Sequence, residues 1–301
     1  MGRQMLHISL WADTATGFRV VLPVLCRVAL FALFSGSTVT AKRIDVWLAA
    51  GQSNMVGSGR IEDLPAGFDY TIGEVLYSDD TGEAPLEGLG PLQPRLTRNN
   101  GIRRWFGPEL TFGAALAAEP GNHAILKYAR NGSPLITKWA PDGTALLGFY
   151  DHVDGGLRDL RDAGWDPHIA GMIWVQGTGD SYQLGPAEQY GENLTVLVDG
   201  IRERFALPEM KFVFNQLHAG ATPLIYRSEV RQGQAAFAAA DPNAIMVSVD
   251  DLPLKSDNFH LSSEALQTLG YRLAAAAIPE PAGVVTAGLI ATVVVTRRRR
   301  S

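Results

Sequence analysis

The chain has 301 residues, 46% hydrophobic and 19% charged, a balance that supplies a sizeable core and argues against long disordered regions. Its net charge is −5; the first 41 residues carry two net positive charges and Arg297–Arg300 four more, so residues 42–296 hold eleven net negative charges. An acidic domain without a basic stripe is a poor nucleic-acid binder, and no 20–50-residue repeat suggests a solenoid. The single cysteine, Cys26, lies in the leader, so the rest of the chain has no disulfide, thiol nucleophile or cysteine-held metal.

In chain order, basic residues come first, followed by an apolar run that ends in small residues, FRVVLPVLCRVALFALFSGSTVTA (Phe18 to Ala41). Val39 and Ala41 sit at cleavage-site spacing, and residues 1–41 are expected to be a secretory signal peptide. A domain over residues 42–277 follows. Short apolar runs rich in β-branched and aromatic residues predict strands at 44–50, 74–78, 123–129, 169–176, 211–217 and 244–249, buried on both faces. Helical patterns fall between and after them at 108–119, 149–163, 187–206, 228–240 and 262–277. Pro108 suits a first helical turn and Ser262 an N-cap. Strand followed by helix, repeated, predicts right-handed crossovers and an α/β fold, a three-layer α/β/α sandwich with a mainly parallel sheet.

The last segment, 278–301, reads IPEPAGVVTAGLIATVVVTRRRRS from Ile278. Its apolar stretch, Ala282 to Thr296, extends about 22 Å as a helix, short of a bilayer core, and the arginines after it should stay cytoplasmic. The tail resembles the bacterial PEP-CTERM sorting signal, which implies recognition by export and sorting machinery at the membrane, followed by removal. A permanent single-span anchor is the alternative. Either reading places the domain outside the cytoplasm.

In such a sheet, ligands bind beyond the carboxyl ends of the strands. Polar loops follow several predicted strands: Gly51–Asn54, Arg130–Pro134, Gln176–Asp180 and the stretch from Asp250 to Ala265. Ser53 is the candidate nucleophile. A serine becomes reactive when an imidazole takes its proton and a carboxylate orients that imidazole. Of the six histidines, His260 combines a late loop position with a nearby carboxylate, Asp257. Taken alone, the pair leaves open a turn aspartate and a satisfied loop histidine. Gly51, Gly57 and Gly59 match neither a phosphate loop nor a dinucleotide fingerprint. Met55 stands where a nucleophile elbow needs glycine, and no zinc pattern is present, so neither metal nor cofactor is expected.

Four ordered blocks carry a more specific signal: GQSNM (Gly51–Met55), FGPEL (Phe106–Leu110), WVQGTGD (Trp174–Asp180) and DNFHLSSEA (Asp257–Ala265). Together they resemble the sialate O-acetylesterase/acetylxylan esterase-like family of the SGNH-hydrolase superfamily, over roughly residues 42–277. The resemblance implies Ser53 as nucleophile, His260 as general base and then acid, and Asp257 as its orienting carboxylate. It also implies an oxyanion hole built from the Ser53 and Gly107 backbone N–H groups and the Gln176 side-chain amide, with a plain loop glycine as the alternative reading of Gly107. One block departs from the family, which usually has Gln-Gly-Glu-Ser-Asp where this chain has Gln176-Gly177-Thr178-Gly179-Asp180.

The expected activity is that of an exported serine esterase removing O-acetyl groups from carbohydrate of the sialate or xylan type, through an acetyl-enzyme. Trp105, Trp139 and Lys138 are candidates for the sugar site, with packing the alternative for either tryptophan. The competing functions are an SGNH lipase or thioesterase, and a non-catalytic sugar-binding surface protein on a degenerate esterase scaffold.

Overall fold

The computed structural model describes residues 41–82, 88–97 and 103–278. All but the last residue of the expected signal peptide and all but the first residue of the expected sorting tail lie outside them. Among the described residues no helix is long and apolar enough to cross a membrane.

A seven-stranded sheet forms the middle layer. It contains β1 (Lys42–Gly51), β3 (Ile72–Asp80), β4 (Gly90–Leu92), β7 (His123–Ala129), β8 (Trp165–Val175), β9 (Lys211–Asn215) and β10 (Ala244–Val247), in the order β10-β9-β8-β1-β7-β3-β4. All pairs are parallel except the β3–β4 edge. A small antiparallel sheet of β2 (Gly59–Arg60), β5 (Arg95–Thr97) and β6 (Arg103–Phe106) lies beside it in sequence. The helices are α1 (Ser53–Val56), α2 (Glu109–Leu116), α3 (Leu135–Lys138), α4 (Thr144–Asp162), α5 (Leu184–Glu188), α6 (Tyr190–Arg204), α7 (Arg227–Ala240) and α8 (Ser263–Ala277).

Alternation along the strands separates two cores. On β1, Ile44, Val46, Leu48 and Ala50 pack toward α4, α6 and α7, through Phe149, Val153, Leu194, Val198 and Phe237. Trp47 and Ala49 face the other way, toward Phe112 of α2 and Leu266, Leu269 and Leu273 of α8. Successive side chains of a strand point to opposite faces, so a strand apolar at every position must be covered on both. This is the expected three-layer sandwich. Trp47 meets the edge of Phe112 at 5.4 Å, pinning α2 against the middle strand.

The expected strands and helices are all present, with shifted ends. Helix α4 starts five residues before the predicted Phe149, because Ala145 and Leu146 extend its buried face and Gly143 marks its start. The helix predicted over 187–206 is divided at Gln189 into α5 and α6. Ser262 caps α8, its side chain accepting the Ala265 N–H at 3.1 Å. The short β2, β5, β6, α1 and α3 have too few residues to show a period.

The chain builds outward from β1 to β3 and β4, returns to place β7 against one side of β1, and then continues with β8 on the other. The carboxyl end of β1 is therefore a topological switch point, where the loops after its two neighbours diverge and leave a crevice. Ser53 lies two residues past that end.

Candidate active site

Glycine is required at two places around Ser53. Gly51 ends β1 at φ +149°, and a Cβ there would lie 2.1 Å from the Val175 carbonyl oxygen. Gly57, φ +86°, ends α1, where a Cβ would lie 2.3 Å from the Gly107 nitrogen. Only a residue without a side chain fits these approaches. Between them, the Gln52 carbonyl accepts the Met55 and Val56 N–H groups and the Ser53 carbonyl accepts that of Gly57, closing one tight helical turn.

The polar trio in that turn is divided among three tasks. The Gln52 side-chain oxygen accepts the Gly179 N–H at 3.1 Å, and the Asn54 side-chain oxygen accepts the Leu261 N–H at 3.0 Å. The residues flanking Ser53 thus tie its turn to the loop after β8 and to the loop before α8. Ser53 Oγ itself lies 2.9 Å from His260 Nε2.

The histidine loop is built locally. Asn258 takes a left-handed φ of +60°, which asparagine tolerates better than most residues. Asp257 Oδ1 accepts the Phe259 and His260 N–H groups at 3.1 and 3.0 Å, and Asp257 Oδ2 lies 2.7 Å from His260 Nδ1. An ionised carboxylate can only accept, so Nδ1 carries the proton and Nε2 presents its lone pair to Ser53. Phe259 packs on the imidazole at 4.1 Å between ring centroids. Partial burial pushes the Asp257 carboxyl up, but the backbone N–H and ring of His260, together with the Phe259 N–H, outweigh it and hold the group below its usual value.

These residues open onto a cavity of about 730 Å³, lined also by Gln52, Arg95, Trp105, Asn131, Gly132, Thr178, Tyr182 and Lys255. Lys255 donates to the carbonyl and hydroxyl of Ser58, and partial burial pushes its ammonium down. Among the described residues, no three histidine, cysteine, aspartate or glutamate side chains are grouped to hold a metal ion.

The structure brings Ser53, Asp257 and His260 together, and Trp105 lines the cavity as expected. The structure places the other four candidates away from the cavity lining. The Gly107 N–H is donated to Glu109 Oε1 at 2.9 Å, because Glu109 folds back from the first turn of α2. The Gln176 amide donates to the Ser133 carbonyl at 3.1 Å and to Asp180 Oδ2 at 2.7 Å, while its oxygen accepts from the Tyr190 hydroxyl at 2.7 Å. Gln176 is 3% exposed and bonded within the wall, so neither it nor Gly107 is among the cavity-lining residues. Trp139 is 1% exposed, its ring packed on Trp174 and its N–H donated to Ser133 Oγ. Lys138 is exposed at the end of α3, outside the cavity lining. Thr178, where the resemblance expects an acidic residue, is part of the cavity wall.

Sequence reading missed Gln52, Asn54, Asn131, Gly132 and Tyr182. The signal for the first two lay inside the GQSNM block itself. Asn131 and Gly132 were legible as a polar loop after a central strand. Tyr182 carried no local pattern.

A family model described as carbohydrate esterase, sialic acid-specific acetylesterase, matches residues 43–279. The chain belongs to this carbohydrate esterase family. A probable carbohydrate esterase of Arabidopsis thaliana is 34% identical over 244 residues, covering 77% of this chain and 89% of that protein. A crystal structure of an Arabidopsis thaliana protein superposes with a TM-score of 0.62 at 22% identity, over 78% of this chain and 97% of that one. A carbohydrate acetylesterase from Xanthomonas citri gives a TM-score of 0.54 at 19% identity, over 77% of this chain and 55% of its own. These two likenesses show a shared fold.

Proposed function

We propose that this carbohydrate esterase removes O-acetyl groups from sugars, with Ser53 as nucleophile, His260 as general base and then acid, and Asp257 as its orienting carboxylate. The observation that carries the reading is the unbroken series Ser53 Oγ, His260 Nε2, His260 Nδ1, Asp257 Oδ2, with contacts of 2.9 and 2.7 Å. His260 takes the seryl proton as Oγ attacks the acetyl carbonyl, and returns it to the departing sugar hydroxyl. Water activated by the same imidazole then releases acetate.

The developing oxyanion needs donors near Ser53. We assign this role to the Ser53 N–H and to the Asn131–Gly132 loop, which lines the same cavity as Ser53 and His260. Tyr182, 48% exposed at the cavity, and Trp105 offer apolar faces to a sugar ring. Acetate release from O-acetylated sialic acid and from acetylated xylan, beside hydrolysis of longer acyl esters, tests the reading and separates it from a lipase or thioesterase. An inert protein that still binds acetylated glycans would favour the non-catalytic sugar binder, a reading supported by the bonded Gly107 N–H and Gln176 amide and by Thr178.

The signal-like leader and tail support export, with the domain at the cell surface, in the periplasm or outside the cell. Mass spectrometry of the protein from its own host should find a new N-terminus near Lys42 and no Arg297–Arg300; an intact cytoplasmic chain would refute this.

A further inference from the structure

Behind the nucleophile turn lies a set of charges that the proposed reaction does not use. Strand β7 is buried along its whole length, yet it carries Lys127, 1% exposed. Its Nζ lies 2.9 Å from Glu109 Oε2 and donates to the Val56 carbonyl at 3.1 Å. Glu109, equally enclosed, uses Oε1 to accept the Gly107 N–H. Arg95, 6% exposed, donates to the next carbonyl, that of Gly57, at 3.4 Å. Two buried cations therefore hold the two consecutive carbonyls that end the turn begun by Ser53. Asp79, opposite Lys127 in the register of β3 and β7, lies within the same buried layer.

An ion pair this deeply buried is a poor means of gaining stability, because desolvation cancels much of the attraction and well-packed apolar replacements are often neutral or better. What it does supply is direction. A charged donor fixed at 3.1 Å behind Val56 allows α1 little freedom to slide, and α1 is only four residues long.

We infer that Lys127, paired with Glu109, is a positioning residue that sets Ser53 Oγ against His260 Nε2 by holding the Val56 carbonyl from behind. It touches no reacting atom and acts through the backbone of α1. Reaction rate is steep in such placement: an error of about 1 Å costs on the order of 10² in rate.

This inference rests on the serine esterase reading, and the experiment keeps the two apart. The double variant Lys127→Met/Glu109→Gln removes both charges together, and the new amide can still accept the Gly107 N–H. Its thermal midpoint, its kcat and KM for 4-nitrophenyl acetate, and its rate of labelling at Ser53 by a fluorophosphonate are compared with those of the native protein. The expected result is a midpoint at or above the native one, KM within about twofold, and kcat and labelling rate both lower by roughly 10–100-fold. Native kcat in the folded double variant would overturn the inference. An unfolded double variant would overturn it too, by making the pair a stability element. A native protein that neither turns over the ester nor takes the label would instead refute the esterase reading.

Discussion

Asp257 and Asp180 have nearly the same set of partners and opposite chemistry. Each accepts two backbone N–H groups and one side-chain donor: Asp257 from Phe259, His260 and the His260 ring, Asp180 from Leu135, Ile136 and the Gln176 amide. Asp257 is held below its usual pKa, whereas burial pushes Asp180 up despite its three donors. The difference lies in surroundings and in the partner's charge. The Asp257 side chain is 38% exposed beside an imidazole that can become a cation; Asp180 is 1% exposed among neutral groups. Hydrogen bonds alone do not make an aspartate a catalytic partner. One aspartate holds an imidazole at the edge of a cavity, and the other fastens the loop after β8 to the start of α3.

The largest expected effect lies at the reacting end of the Asp257 series. Ser53→Ala or His260→Ala should lower kcat for an acetyl ester by on the order of 10⁵–10⁶, as measured by acetate release. An active Ser53→Ala protein would break the serine mechanism. Asp257→Asn should cost about 10⁴ in kcat with a small change in thermal midpoint, because it leaves the imidazole in the wrong tautomer.

Asp180→Asn should reverse that balance. Placing an amide group where donors converge should cost about 1–3 kcal/mol of stability with a much smaller loss in kcat. Gln176→Ala should behave in the same way. If it instead lost 10²–10³ in kcat at unchanged stability, as expected of an oxyanion donor, the assignment of Gln176 to the wall would be wrong.

The two aspartates should also bend the pH dependence of stability in opposite directions. Asp257 is depressed in the fold, so it contributes stability above the unfolded carboxylate range and loses it as pH falls through its lower folded value. Asp180 is raised, so its charged form is disfavoured by the fold and the penalty is relieved as pH falls through its higher folded value. Denaturant titrations between about pH 7 and about pH 3 should show the advantage of the native protein over Asp257→Asn shrinking on acidification, and that over Asp180→Asn growing. The same sign for both would break the comparison.

The smallest effect belongs to the cavity rim. Tyr182→Ala should raise KM for an acetylated oligosaccharide several-fold, losing about 1 kcal/mol of ring contact, while leaving a small acetyl ester unaffected. Lys138→Ala should change neither, since Lys138 lies outside the cavity.

The sequence by itself determined the layers, because apolar periodicity is encoded locally, and it marked the candidate site through four ordered blocks. Strands apolar on both faces, as in His123–Ala129, can only be buried in a covered parallel sheet, and helical segments between them force the crossovers. Ser53 and the Asp257–His260 pair stood out as candidates because they lie in polar loops after predicted strands and in ordered blocks that resemble one family; the pair alone left a turn aspartate and a loop histidine open. Tertiary structure alone decided where the long-range bonds go. Nothing near Gln176 in sequence reveals that Ser133 and Tyr190 take up its amide, and nothing near Val56 shows that Lys127 holds its carbonyl. In sequence Trp139 fits either a sugar site or packing, and Trp174 against its ring decides for packing. A residue's type limits the bonds it can make; its partners depend on which distant segments the sheet order brings within about 3 Å, and that order is a property of the whole chain.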